Sequence, residues 1–222
     1  MPRYLEEVTA FFDGRGEPYE VLVVDDGSVD DTPRLVATLA RTHPGVRLVR
    51  LGENRGKGAA VRRGMLEARG EYRLFADADG ATPIAELKRL EPVFASGADI
   101  AIGSRVVVDS SVSVTARPHR VLAGRAFNWL VGRLGLHGIA DSQCGFKAFR
   151  SAVAEDLFGR LRTRGFGFDV ELLLRAQGRR YRIAEIAVNW VDQAGSKVGV
   201  LKHGPSMVVQ IVLARLRVMR EP

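Results

Sequence analysis

Short apolar runs that stop in acidic or small polar turns, with a helix-patterned stretch between each run and the next, constrain this chain more than any other feature. VLVV (21–24) runs into DDGS, YRLFA (72–76) into DADG, and ADIAIGSR (98–105) ends in its own Ser and Arg. Continuous apolar runs of this length, bounded by turn residues, are the pattern of strands covered on both faces. VRLVRL (46–51) adds a fourth strand. The intervening stretches have helical spacing: Leu5, Val8 and Phe12 after Pro2; Leu35, Val36 and Leu39 after Thr32 as N-cap and Pro33 as first helical residue; and a glycine-rich first turn, RGKGAAVRRGML, after Asn54. Thr82 and Pro83 repeat the cap-then-proline start. This alternation predicts an α/β fold, a mostly parallel central sheet with helices on both faces. Ligands of such sheets bind beyond the carboxyl ends of the strands. DDGS, DADG and GSR therefore belong on one rim.

The chain has no internal repeat, low-complexity linker or composition break, and its 222 residues, 46% of them hydrophobic, suffice for one real core. Against 26 Asp and Glu stand 33 Lys and Arg, a net charge of +7 that suits a polyanionic partner: nucleic acid, a phosphorylated substrate or an anionic membrane surface. No basic motif interleaved with aromatics supports nucleic acid. A single cysteine, Cys144, excludes an internal disulfide and fits a reducing compartment. The most apolar stretch, 207–219, is broken by Gln210, Arg215 and Arg217 and is shorter than the ~20 residues a spanning helix needs. From Pro205 onward the chain reads as a cationic amphipathic helix suited to a membrane surface or to core packing.

Asp77 and Asp79, at i and i+2 on a strand exit, have the spacing by which two carboxylates hold a hard cation such as Mg²⁺ or Mn²⁺ together with phosphate oxygens. An isolated Asp-x-Asp serves as often to cap a turn. The second acidic pair, Asp25 and Asp26, favours a ligand site. DADGAT is also similar to the nucleophile loop of haloacid-dehalogenase-like phosphatases, but Ala81 interrupts that pattern. Between Asp109 and Asp141 there is no carboxylate, while Arg117, Arg120, Arg125 and Arg133 accumulate directly after GSR. Such a cluster is either a solvated face or a receptor for a phosphate, with Arg117 and Arg120 the better placed.

Six stretches, VLVVDDGSVDDT, ENRGKGAAVRRGML, FADADGATP, AIGSR, GRAFNWLVGRLGLHGIADSQCGFKAFR and NWVDQAGSKV, resemble in order and nearly end to end the inverting nucleotide-sugar glycosyltransferases of the GT-A fold. They look most like the dolichyl- and polyprenyl-phosphate β-glucosyltransferases, DSQCGFK pointing to the glucosyl branch over the GDP-mannose-dependent one. The resemblance implies transfer of glucose from UDP-glucose to a polyprenyl phosphate, with Mg²⁺ or Mn²⁺, by a peripheral protein at the cytoplasmic face of a membrane. By it, Asp25, Asp26, Ser28, Lys57, Asp77, Gln143 and Lys197 lie at the nucleotide sugar. Asp77 and Asp79 hold the metal; Arg105, Arg117, Arg120 and Arg125 receive the acceptor phosphate; Asp79, Asp141 and Arg105 are the catalytic residues. Ser196 and Lys197 of AGSK match a late basic loop, although Asp192, Gln193 and Ala194 stand where the family has an acidic residue, a hydrophobic one and proline. The expected organisation is a catalytic unit over 1–203 and a C-terminal helix over 204–222. A non-catalytic nucleotide-sugar or lipid-phosphate binding protein is the alternative from another class. Such chains normally open with a further strand lying beside the DDGS strand inside the sheet. MPRYLEEV instead matches the helix after it, so an upstream segment is expected.

Overall fold

The computed structural model describes residues 2–193 and 200–220; within these, the side chains of 2, 118–120, 123, 125 and 200–205 are left aside. Along the chain come α1 (Pro2–Asp13), β1 (Val21–Asp25), α2 (Thr32–Thr42), β2 (Val46–Arg50), α3 (Lys57–Glu67), β3 (Tyr72–Ala76), a 3-10 turn (Ile84–Glu86), α4 (Leu87–Ala95) and β4 (Ile100–Ser104). There follow β5 (Val114–Thr115), α5 (Pro118–Arg133), β6 (Phe146–Arg150), α6 (Ser151–Arg160), α7 (Phe168–Gly178), β7 (Ile183–Ala187), β8 (Trp190–Val191) and α8 (Val200–Arg220).

The main sheet has the order β3-β6-β4-β7. β4 and β7 are parallel, as are β1 with β2 and β5 with β8, while β6 runs antiparallel to both its neighbours. Period-two alternation sends Phe75, Ile100, Ile102 and Phe149 to one face, beneath α3, α6, α7 and α8, and Leu74, Ala101, Phe146 and Ala148 to the other, against α1 and α4. Phe149 and Phe158 are fully buried and meet edge to face at 5.3 Å; truncating either to alanine costs about 3–5 kcal/mol. α8 runs through position 203 without a break in the helix and adds Ile211 and Ala214 to the buried set. It also begins before Pro205, earlier than the sequence reading has it.

β1 and β2 form a two-stranded sheet of their own. Neither the free edge of β1 nor that of β3 pairs with a strand among the described residues. α3 lies against both strands, and a small cluster of Leu5, Val36 and Val46 closes the outer side.

Two helix starts differ from the sequence expectation. Asp31, not Thr32, is the N-cap of α2, and the Thr32 N–H donates to Asp30 Oδ1 at 3.0 Å. Asp31 itself makes no side-chain cap hydrogen bond. Thr82 caps no α-helix: Pro83 precedes a single 3-10 turn, and α4 starts only at Leu87.

Candidate functional site

The antiparallel β6 determines the site. Because it runs against β3 and β4, its start faces their ends, with Phe146 opposite Ala76. The loop Asp141–Gly145 thereby joins DADG and GSR on the rim, and the N-terminus of α3 arrives there after β2.

At the exit of β1, both carboxylates hold the protein's own loops. Asp25 is buried; its Oδ1 accepts from the Ser28 N–H at 2.8 Å and its Oδ2 from Arg50 Nε at 3.2 Å. Burial alone would raise this carboxyl, but these donors outweigh it and hold it below its ordinary value. Asp26 receives the N–H groups of Arg55 and Gly56 at 2.7 and 2.8 Å, fixing the turn into α3. Gly56 and Gly58 serve close packing: a Cβ at Gly56 would lie 2.6 Å from Arg164 O, and one at Gly58 2.5 Å from Thr163 O.

At the exit of β3 the arrangement differs. Asp77 Oδ1 takes Lys57 Nζ at 2.7 Å, and Asp79 Oδ1 accepts from the Ala81 N–H at 3.0 Å. Oδ2 of neither residue has a protein donor among the described residues. The half of the Asp-x-Asp expectation that concerns turn capping is therefore met by one oxygen of Asp79, and the rest of the pair stays available. Burial opposes the charged form of Lys57, but Asp77 and Asp169 outweigh it and hold the ammonium above its usual range. The Asp77 N–H donates to Gly145 O at 3.0 Å, and a Cβ at Gly145 would sit 2.1 Å from Asp77 Oδ2. Only glycine lets the 141–145 loop pass so close.

Beneath that loop is a buried charge pair absent from the sequence reading. Lys147, fully buried on β6, donates to Cys144 O at 2.5 Å and to Asp169 Oδ1 on α7 at 2.6 Å. Burial raises the Asp169 carboxyl against the pull of Lys147 and Lys57. Tyr4 of α1 is a second residue missed from sequence; its hydroxyl donates to Thr82 O at 3.2 Å, and burial, reinforced by the charges of Asp77 and Asp79, raises its phenol. Cys144 is buried, as expected of a small packing residue, and burial pushes its thiol up to about 11.

Arg105 and Asp141, 36 residues apart in sequence, form a two-pronged pair: Nε to Oδ2 at 2.7 Å and Nη2 to Oδ1 at 2.8 Å, with the Arg105 N–H also on Oδ2 at 3.0 Å. Burial penalises both charges. Each nevertheless holds its partner ionised, Arg105 above and Asp141 below the ordinary range. The guanidinium lies 5.4 Å from the Trp190 ring centre. This side-on pairing uses one edge of the fork; Nη1, on the other edge, has no protein acceptor among the described residues, so a phosphate can still be taken end-on.

The remaining assignments divide. Gln143 joins the rim through its backbone N–H on Asp141 Oδ1 at 3.2 Å, and its Nε2 is buried without an acceptor among the described residues. Ser28 is held at the β1 exit by its own amide. Arg117 pairs with Asp192 at 3.3 Å across the β5–β8 ladder. The side chains of Arg120 and Arg125, and Lys197 as a whole, lie outside the described residues.

An α/β sheet with an acidic strand exit on the same rim as a carboxylate-held arginine fits the class of GT-A nucleotide-sugar transferases that the sequence motifs resemble. The fold agrees. A solved structure of glucosyl-3-phosphoglycerate synthase from Mycobacterium tuberculosis, in complex with Mn²⁺, UDP and glucosyl-3-phosphoglycerate, matches 91% of this chain and 70% of its own length with a TM-score of 0.65 at 21% identity. The chain belongs to glycosyl transferase family 2, whose model matches residues 2–158. It is 40% identical over 211 residues to the dolichyl-phosphate beta-glucosyltransferase of Drosophila melanogaster and 37% identical over 229 residues to that of Dictyostelium discoideum. These alignments cover 89% and 98% of this chain, which spans 65% and 70% of the length of the two relatives.

Proposed function

We propose that the protein transfers glucose from UDP-glucose to a polyprenyl phosphate of the dolichyl type, with inversion and with a divalent cation. One observation carries this reading: on a single rim, and among the described residues, Asp77 and Asp79 present carboxylate oxygens with no protein donor and Arg105 presents an open guanidinium edge, with the 141–145 loop touching both. The relatives named dolichyl-phosphate beta-glucosyltransferase support the sugar and the acceptor, and the Mn²⁺ and UDP of the solved structure support the metal and the nucleotide.

The hard oxygen pair at the β3 exit fits Mg²⁺ or Mn²⁺, which when bound would offset charge developing on the leaving diphosphate. Lys57, on Asp77, stands ready to add a second positive charge to that diphosphate. Asp25 and Asp26 build the loops on which the nucleotide rests, with Ser28 in the first of them; the family resemblance assigns Lys197 to the diphosphate as well. Gln143 Nε2 supplies a donor for a sugar hydroxyl. Arg105, with Arg117, Arg120 and Arg125, orients the acceptor phosphate. One of its oxygens bonds to the anomeric carbon as the bond from that carbon to UDP breaks and the electron pair leaves with UDP. The phosphate is already ionised near neutral pH, so the step demands no strong general base; Asp141 holds Arg105, and Asp79 with Asp77 would hold the cation.

A membrane surface is the meeting place for such an acceptor. Leu122 and Trp129 of α5 and Val209, Leu216 and Met219 of α8 are exposed apolar residues, accompanied by Arg133 and Arg220. No helix among the described residues is long and apolar enough to cross a membrane. The buried, unpaired Cys144 supports placement at the cytoplasmic face.

The test is incubation of the purified protein with labelled UDP-glucose, a short polyprenyl phosphate and Mn²⁺ or Mg²⁺. The expected result is label in an organic-soluble product, abolished by chelation. Label entering only from GDP-mannose would replace the donor. Tight UDP binding without product from either donor would replace the enzyme by a binding protein.

A further inference from the structure

Arg105 takes its place from Asp141, and Asp141 takes its own from a residue outside every assignment above. Glu185 lies in the middle of β7, opposite Ile102 of β4. Its Oε2 accepts from the Ala140 N–H at 2.8 Å and its Oε1 from the Asp141 N–H at 2.7 Å. A carboxylate with one oxygen on each of two consecutive amides fixes both the position and the direction of that backbone, and hydrogen bonds to a charged acceptor are the strong ones. From the other side, Asn128 Nδ2 of α5 donates to Ala140 O at 2.6 Å, and Ser142 Oγ donates to Asn128 Oδ1 at 3.3 Å. The start of the 141–145 loop is thus gripped between β7 and α5 before its first side chain meets the arginine.

We propose that Glu185 is a positioning residue for the acceptor phosphate, acting through the Ala140–Asp141 backbone on the Asp141 carboxylate and through it on the open edge of Arg105. The inference rests on the reading of Arg105 as a phosphate ligand. Without Glu185, two amides lose a charged acceptor, and the almost wholly buried Asp141 is held, among the described residues, only by Arg105, by the Gln143 amide and, through Ala140 O, by Asn128. Donor binding at the β3 exit keeps a support that the Glu185 clamp does not touch, since Lys57 of α3 pairs with Asp77.

The experiment compares Glu185→Ala, Glu185→Gln, Arg105→Ala and the double variant Glu185→Ala/Arg105→Ala. kcat and KM are measured for acceptor and donor separately, and UDP affinity with Mn²⁺ by calorimetry. Expected is a loss of about 10²-fold in kcat/KM for polyprenyl phosphate in Glu185→Ala, as a misplaced positioning group produces, with UDP affinity within about twofold of the parent. Glu185→Gln keeps one acceptor oxygen and the side-chain shape, so it falls between. In the Arg105→Ala background, Glu185→Ala adds less than about twofold, because residues acting through one contact are not additive. Equal losses for donor and acceptor, or full additivity with Arg105→Ala, would overturn the proposal. If Arg105→Ala leaves acceptor kinetics unchanged, the phosphate reading fails and this inference with it. If Arg105→Ala is impaired and Glu185→Ala is not, only the inference fails. Should Glu185→Ala not fold, amide exchange in Glu185→Gln decides: exchange at 140–141 must quicken about tenfold, and unchanged exchange overturns the clamp.

Discussion

At the exit of β1 all four carboxylate oxygens of Asp25 and Asp26 accept hydrogen bonds from the protein itself; at the exit of β3, Asp77 and Asp79 have two of their four engaged by the described residues. DDGS and DADG are nearly the same signature, each an acidic pair where a strand becomes a loop. Their chemistry differs because of what the rest of the chain brings to each. DDGS meets the Ser28 amide, Arg50 from the next strand and the amides that open α3, which together consume the pair. DADG meets a single turn amide that follows it and one lysine, Lys57, that precedes it. An acidic turn is a ligand site to the extent that its own fold leaves oxygens unspent.

The comparison is broken most severely at Asp79. Asp79→Ala is expected to lower turnover by about 10³-fold, the scale of losing a charge-stabilising ligand of the transition state, while thermal melting stays within a few degrees of the parent. A variant that keeps a tenth of its turnover would put the cation elsewhere. Next in size, Gly145→Ala thrusts a methyl group into Asp77 Oδ2, and turnover should fall by about 10²-fold, as a displacement near 1 Å does. Circular dichroism should show the fold intact; unchanged turnover would mean the Asp77 carboxylate is free to lie elsewhere.

Asp26→Ala sharpens the contrast from the other side. It orphans the Arg55 and Gly56 amides and should cost stability of about 1–3 kcal/mol in urea unfolding, with turnover per folded molecule reduced far less than by Asp79→Ala. The smallest effect concerns pH. The carboxyls of Asp25 and Asp141 are held below their ordinary value of 3.8 in the folded protein. On acidification the unfolded chain therefore takes up these protons first, and the stability they contribute is complete above that value and is lost as pH falls through their folded values. Melting temperature should be level from pH 7 to about 5 and drop below about pH 4, with a shallower drop in Asp141→Asn. An identical drop in that variant would assign acid lability to other groups.

Much of this fold is legible in the sequence because β1 to β4 are apolar runs with turn residues at their ends, and a parallel reading puts the acidic exits on one rim without further information. β6 is not legible in the same way. FKAFR has a lysine as its second residue, and only the contacts to Asp169 and Cys144 O make Lys147 tolerable inside the sheet. The antiparallel direction of β6, which brings Asp141–Gly145 to the rim, is a pairing across some 70 residues and leaves no local trace; Tyr72 meets Arg150. The same holds for Arg105 with Asp141 and for Glu185 with Ala140: the residue types are visible, but the partner is chosen by topology. Asp77 and Asp79 are recognisable from spacing alone. That their oxygens stay open, while those of Asp25 and Asp26 do not, depends on amides placed by the turns that follow.

Binding of Mn²⁺ to the UDP-loaded protein, followed by electron paramagnetic resonance in the parent, Asp26→Ala and Asp79→Ala, tests the division between the two acidic turns most directly. The account predicts one UDP-dependent Mn²⁺ site that survives in Asp26→Ala and is lost in Asp79→Ala. Equal Mn²⁺ affinity in Asp79→Ala and the parent would contradict it.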